Sequence, residues 1–159
     1  MRIKTSSIDS SIIPLECIDR KRNVWRLRWN IEDGEFEEIQ LNHMPNLDEV
    51  KNIIREWCNE QTVNRITNGF IWKGHRVNLN KENQANYTMF CDSGIVPAMF
   101  KFGTWENPEY YKFETVEELK KFKTAFSEHI KTCLQLGWAR KDNFNWTPYE
   151  QIINNNNNG

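Results

Sequence analysis

Apolar and polar residues alternate most clearly in NVWRLRWNI. Trp25, Leu27, Trp29 and Ile31 fall on one side of an extended chain, and Val24, Arg26, Arg28 and Asn30 on the other. The pattern predicts a strand with one face built for burial and the other for water or a partner. Asp33-Gly34 follows, two residues that tolerate the positive φ of a tight hairpin turn. The return strand, EFEEIQLNH, alternates through Ile39 and Leu41; Phe36 is out of phase with both, which predicts a bulge near Glu37. Upstream, Ser11 to Ile18 reads as a first strand, and Pro14 assigns it to a sheet edge because proline has no N–H to give a ladder.

The period then changes from two to about 3.6. Leu47, Val50, Ile54 and Trp57 line one side of a helix whose stripe ends near Gln61, with Asn46 as N-cap and Glu49 completing a capping box. Gly69 punctuates the link to a short hairpin, FIWKGHRVNL, turning at Lys73-Gly74. Asn80 caps a second helix that runs to about Asp92 and stops at Ser93-Gly94; Ala85 and Met89, with Gln84, Tyr87 and Cys91, give it a modest apolar face. Two aromatic strands, AMFKFG and EYYKF, are joined by a turn around Trp105 to Pro108. Thr115 and Glu118 form a second capping box for the longest stripe in the chain: Val116, Leu119, Phe122, Phe126, Ile130 and Cys133. Gly137 sits where a C′ glycine would end that helix. Trp138 to Tyr149 reads as an irregular aromatic tail, and the run from Asn154 to Gly159 as a flexible low-complexity end.

The predicted order is β-β-β-α-β-β-α-β-β-α, an α+β fold of antiparallel meanders packed against about three helices. Residues 1–153 read as one domain, with 1–68 and 69–153 as possible subunits. At 159 residues the chain can bury a sizeable core without a staple. Seven Trp and nine Phe put the aromatic content at 13%; rings of this size serve first as core, and a surplus beyond it would mark an interface. Trp105 lies at a meander tip, and adjacent Tyr110 and Tyr111 must point to opposite faces of their strand; these three are the candidate interface residues.

Charge and cysteine usage narrow the setting. With 21 basic and 22 acidic side chains there is no global field for DNA, RNA or anionic lipid. Cys17, Cys58, Cys91 and Cys133 are scattered with no CxxC pair, which fits free thiols in a reducing cytoplasm. The N-terminal stretch lacks a secretory h-region and no apolar run approaches membrane length, so the NYT and NWT sequons at Asn86 and Asn145 read as accidental.

The search for chemistry returns negatives. His43, His75 and His129 lie in no hydrolase elbow, HExxH helix or cysteine-protease signature. His129 and Cys133 share a helix face, two ligands where a structural zinc needs four. No Walker loop or GxGxxG occurs. The expectation is a non-enzymatic protein without cofactor or metal. Lys120, Lys121 and Lys123 on the third helix, Arg26 and Arg28 on the Trp strand, and bases interleaved with aromatics in FKF and YYKF raise single-stranded nucleic acid as an alternative. The balanced charge weighs against it.

Several linked segments carry a resemblance: NVWRLRWNI, MPNLDEVKNIIREW, GFIWKGHRVNLNKENQANY, MFKFGTWENPEYYKFETVEELKKF and LGWARKDNFNWTPYE. Together, from about Asn23 to Tyr149, they resemble uncharacterised proteins of Bacteroidales bacteriophages and prophages, crAss-like phages included. They are also loosely similar to a domain of unknown function found beside phage tail-fibre genes. The resemblance implies a structural or accessory component of a tailed-phage virion: a capsid decoration, a head or tail fibre, or a fibre adaptor. It would be made in the host cytoplasm, and its partners would be itself, as a symmetric oligomer, and other phage structural proteins, with no membrane. A tail-fibre assembly chaperone is the alternative within the same setting. The resemblance supplies no catalytic residues.

Overall fold

The computed structural model describes residues 1–4 and 12–158. Its elements are β1 (Arg2–Lys4), β2 (Leu15–Asp19), β3 (Val24–Glu32), β4 (Glu35–Leu41), α1 (Leu47–Asn68), β5 (Phe70–Trp72), β6 (His75–Val77), α2 (Lys81–Ser93), β7 (Ala98–Gly103), β8 (Pro108–Phe113), α3 (Val116–Asp142) and α4 (Thr147–Asn157). The expected α+β order stands, with a short strand added in front and a helix added behind. The beginning of the predicted first strand, at Ser11, lies outside the described residues.

The chain forms two compact units, Met1–Trp57 with Phe144–Gly159, and Cys58–Asn143. The boundary between these units lies inside α1, after Trp57; the sequence suggested Asn68, and α1 continues past Gln61 to that residue without a break. The C-terminal segment returns to the first sheet, where the Tyr149 hydroxyl donates to the Arg28 carbonyl at 2.6 Å.

In the first unit, four antiparallel strands lie in the order β1-β4-β3-β2, so β2 is at an edge as expected, although it begins at Leu15, just after Pro14. Trp25, Leu27 and Trp29 are buried, and Trp57 of α1 meets Trp29 edge-on at 6.1 Å. The predicted stripe breaks at Ile31, which is exposed. Pairing passes from Trp29↔Glu37 to Glu32↔Glu35, leaving Asn30 and Ile31 both opposite Phe36. The bulge therefore belongs to β3, where Asn30 has φ +52°, and not to the return strand near Glu37. Phe36 is out of phase because it lies on the opposite face, buried beneath the Arg28 guanidinium at 5.0 Å. The capping box of α1 forms in both directions: Asn46 Oδ1 accepts from Glu49 N (2.8 Å) and Glu49 Oε1 from Asn46 N (3.4 Å).

The segment expected to be irregular is largely helical. Helix α3 runs to Asp142, and α4 starts at Thr147 with proline in its first turn, where the missing N–H costs nothing. Phe144, Trp146 and Tyr149 stack together, and Lys51 and Arg55 lie over Trp146 at 5.9 and 5.6 Å. Tyr149 and Ile153 are buried, so α4 has an apolar stripe that carries helix into the asparagine run as far as Asn157.

The second unit is organised around Phe122, which is fully buried. Seven rings lie 5.2–6.0 Å from it: Phe70, Trp72, Tyr87, Phe100, Phe102, Phe113 and Phe126. Hairpins β5-β6 and β7-β8 supply one side of this cluster and helices α2 and α3 the other. The caps of α2 form as predicted, Asn80 accepting from Asn83 N at 2.8 Å and Gly94 in the left-handed conformation at φ +64°. Its buried residues, however, are Tyr87 and Cys91, while Ala85 and Met89 face solvent. Gly137 is not a terminus. It is buried inside α3, where a Cβ would stand 2.3 Å from Thr62 Oγ1; the glycine lets α1 and α3 approach.

Candidate functional site

The β7-β8 hairpin divides its residues by the pleat. The register pairs Phe100 with Tyr111 and Ala98 with Phe113, so these side chains share the face that packs on Phe122. The alternate register pairs Lys101 with Tyr110 and Met99 with Lys112, and all four are exposed. Hairpin β5-β6 lies beside it and obeys the same division. Phe70, Trp72 and Val77 face the aromatic cluster, and the cross-strand pair Ile71↔Arg76 faces outward.

The three nominated aromatics therefore separate. Trp105 is 91% exposed and Tyr110 63%. Tyr111 turns inward, 4.8 Å from the Phe113 ring and 6.0 Å from Phe102. Its hydroxyl donates to Glu118, whose Oε1 also takes Lys73 Nζ at 2.9 Å. Those two bonds, Lys73 first, hold the Glu118 carboxyl below its ordinary pKa; the same carboxylate raises Lys73. This network joins the β5-β6 turn to β8 and the first turn of α3.

Further bonds fix the frame. The Tyr87 hydroxyl donates to the Lys101 carbonyl at 3.2 Å, anchoring β7 from inside. His75 Nδ1 meets Glu109 Oε2 at 2.5 Å and so links β6 to β8. In the tip, Thr104 N donates to Asn107 O (3.1 Å) and Asn107 N to Thr104 Oγ1 (3.0 Å). Gly103 has φ +82°, and a Cβ there would lie 2.4 Å from Asn107 O, so only glycine permits this turn. The tip is thus a built loop that holds Trp105 out in solvent. Behind it is a polar concavity of about 290 Å³ lined by Asn68, Arg76, Asn78, Thr104 and Trp105 among others.

A second concavity of about 330 Å³ lies between α2 and α3, lined by Phe126, Ile130, Leu134 and Trp138 with Gln84 and Thr88. Two of its polar groups are engaged, Gln84 Nε2 with Leu79 O and Thr88 Oγ1 with Gln84 O, and Ser127 and Lys131 complete its polar lining. The hairpin surface, with its larger set of exposed aromatic and basic side chains, is the stronger candidate.

The other features singled out in the sequence have structural roles. His129 Nε2 lies 3.0 and 3.3 Å from the Arg65 and Ile66 carbonyls, closing the end of α1, with Cys133 Sγ at 3.7 Å. His43 pairs with Glu49 at 2.6 Å, a bond that holds the Glu49 carboxyl below its ordinary value. Among the described residues no three His, Cys, Asp or Glu side chains gather as a metal site, and no helix is long and apolar enough to cross a membrane. Arg26 and Arg28 are neutralised: Glu38 Oε1 lies 3.0 and 2.9 Å from their Nε atoms, and Glu16 Oε1 lies 3.6 and 3.1 Å from their Nη1 atoms. Lys123 pairs with Asp92. Sequence reasoning missed Arg76, Met99 and Ile71. The signal was present in the hairpin registers, which assign all three to the outward set with Tyr110.

Comparison of the chain with protein-family models, with curated proteins and with solved structures finds no match.

Proposed function

We propose that this chain works by binding rather than by catalysis, as a structural or accessory component of a tailed-phage particle, and that the outer face of its two hairpins is the protein–protein interface. The observation that carries the reading is the outward set itself. Trp105, Tyr110, Met99 and Ile71 are each more than 60% exposed while the opposite face of the same strands is packed tightly. Large apolar side chains held out by an ordered frame are what interface cores are made of, and a charged rim completes them. The phage setting comes from the sequence resemblance. It joins naturally to a small protein that presents an aromatic face to a larger assembly or to a symmetric copy of itself.

Quantitative mass spectrometry of purified particles tests the reading. Recovery in many copies per particle supports a decoration, fibre or adaptor. Presence in assembling cells bound to fibre protein, with absence from mature particles, assigns the chain to the chaperone alternative. Absence from both removes the phage-assembly role.

One observation favours a second reading, single-stranded nucleic acid. Lys101 and Lys112 share the outer face of β7-β8 with Tyr110, and Arg76 lines a concavity with Trp105, bases beside aromatics as in a base-stacking platform. A labelled oligonucleotide titrated at low and moderate salt should then show salt-sensitive binding; no binding at low salt removes this reading.

A further inference from the structure

We infer that the outer hairpin face takes an acidic segment of a partner protein. This rests on the proposed protein–protein role of that face and adds the chemistry of what it meets. The outward strand positions carry three cations, Arg76, Lys101 and Lys112, and no carboxylate. The one carboxylate within these strands, Glu109, shares its register position with Phe102, is about half exposed, and is held by His75. Lys112 reaches Glu114 at 3.2 Å across exposed surface, while among the described residues Arg76 and Lys101 meet no carboxylate within ion-pair distance. The cations elsewhere on the sheets behave differently, since Arg26 and Arg28 share two carboxylates. A whole chain of net charge −1 thus leaves Arg76 and Lys101 without a carboxylate partner among the described residues, on hairpins that also expose aromatics.

Two features favour a polypeptide over a nucleic acid. Ile71 stands opposite Arg76 and Met99 opposite Lys112, and aliphatic side chains offer apolar contact to a protein but no stacking plane to a base. The ribbon is two strands wide at the tip, so the cations lie on both sides of Tyr110, in cross-strand contact through Lys101 and two residues along the strand at Lys112. Acidic residues flanking an apolar anchor would match that arrangement, each charge complementing a rim cation.

The test is site-specific photo-crosslinking in cells producing particles, using the full chain with Tyr110→p-benzoylphenylalanine and sequencing the crosslinked peptide. The expected result is a partner-protein segment of net negative charge. Its crosslink yield should fall roughly tenfold when Lys101→Glu and Lys112→Glu are added, as two reversed charges at a docking surface would cause. Circular dichroism should show the triple variant folded, since all three positions are exposed; if it is not, Lys101→Gln and Lys112→Gln serve instead with a smaller fall. A neutral or basic segment, or a yield indifferent to the lysine changes, overturns the acidic partner while leaving the protein interface standing. A crosslink to a second copy of this chain through its own basic face overturns it likewise. Adducts to nucleic acid, or none to any protein, overturn both this inference and the interface on which it rests.

Discussion

Thr62 closes on the bare Cα of Gly137 so tightly that a methyl group there would stand 2.3 Å from the threonine hydroxyl oxygen, which is itself bonded to the Cys58 carbonyl at 3.1 Å. Neither partner has room to yield, because Thr62 is buried and β-branched. Gly137→Ala should therefore destabilise the protein by about 1–3 kcal/mol despite alanine's better helix propensity. In a Thr62→Ala background the same change should become neutral or stabilising by up to about 1 kcal/mol, because the hydroxyl oxygen that clashes is gone. Chemical denaturation of the four variants measures the cycle; equal effects in both backgrounds would show that Thr62 is not what the added methyl group meets.

Neighbouring tyrosines separate binding from folding. Tyr110→Ala and Trp105→Ala should each leave stability within roughly 0.5 kcal/mol, since both side chains project into solvent. Tyr111→Ala should cost about 2 kcal/mol or more, removing a ring packed on Phe113 and Phe102 and a hydroxyl bonded to Glu118. Equal losses at 110 and 111 would mean the pleat does not divide the strand. Incorporation into particles should follow the opposite order, lost first with Trp105 and Tyr110.

Phe122→Ala should be the most damaging single truncation in the second unit, at about 3–5 kcal/mol, because it withdraws the ring on which seven others converge. Thermal unfolding gives the comparison with Phe126→Ala, which touches the cluster from one end.

The Lys73–Glu118–Tyr111 network sets an acid dependence. The Glu118 carboxyl is lowered from 4.5 in the folded chain, so its contribution to stability is fully present above that value and disappears as pH falls through the lower, folded one. Glu118→Gln should flatten the fall in stability below about pH 4.5 and, because the same carboxylate raises Lys73, should also remove the stability that the parent loses as Lys73 deprotonates at alkaline pH. A proton-binding titration followed by NMR should place the Glu118 transition lower in the parent than in Lys73→Met. No difference between the two would remove Lys73 as the main cause.

Thiol chemistry should single out Cys17. Cys58, Cys91 and Cys133 are buried, and burial raises all three thiols, Cys91 to about 11. At pH 8 an aromatic disulfide reagent should titrate one thiol promptly and three only with unfolding. Four fast equivalents would contradict the packing around α1, α2 and α3.

The readable parts of this chain were those where one local signal decides. Asn46-Glu49, Asn80, Thr115 and the Asp33-Gly34 and Lys73-Gly74 turns appear where their backbone chemistry puts them. Errors cluster where a distant residue decides instead. Gly137 resembles a helix terminator until Thr62 is seen to need its missing Cβ. The stripe of α1 seems to end at Gln61 because the next turns bury Thr62 and Ile66 in a second unit. Met89 looks like core by composition, yet Tyr87 and Cys91 take that face. At the candidate site, Trp105 and the opposed tyrosines were legible from strand parity alone. Arg76 and Ile71 were not, because only the pairing of β5 with β6 and their place beside β7 bring them to that surface.

The parity of β7 and β8 also governs how this protein can change over time. Positions 99, 101, 110 and 112 can be rewritten without disturbing Phe100, Phe102, Tyr111 or Phe113 one residue away. On the proposed interface, a lineage confronted with a new partner would adjust what it recognises at almost no structural risk, keeping one scaffold beneath a changing surface. In a saturation library of this hairpin, tolerance should alternate residue by residue, and escape from a mutated partner should arise on the permissive set.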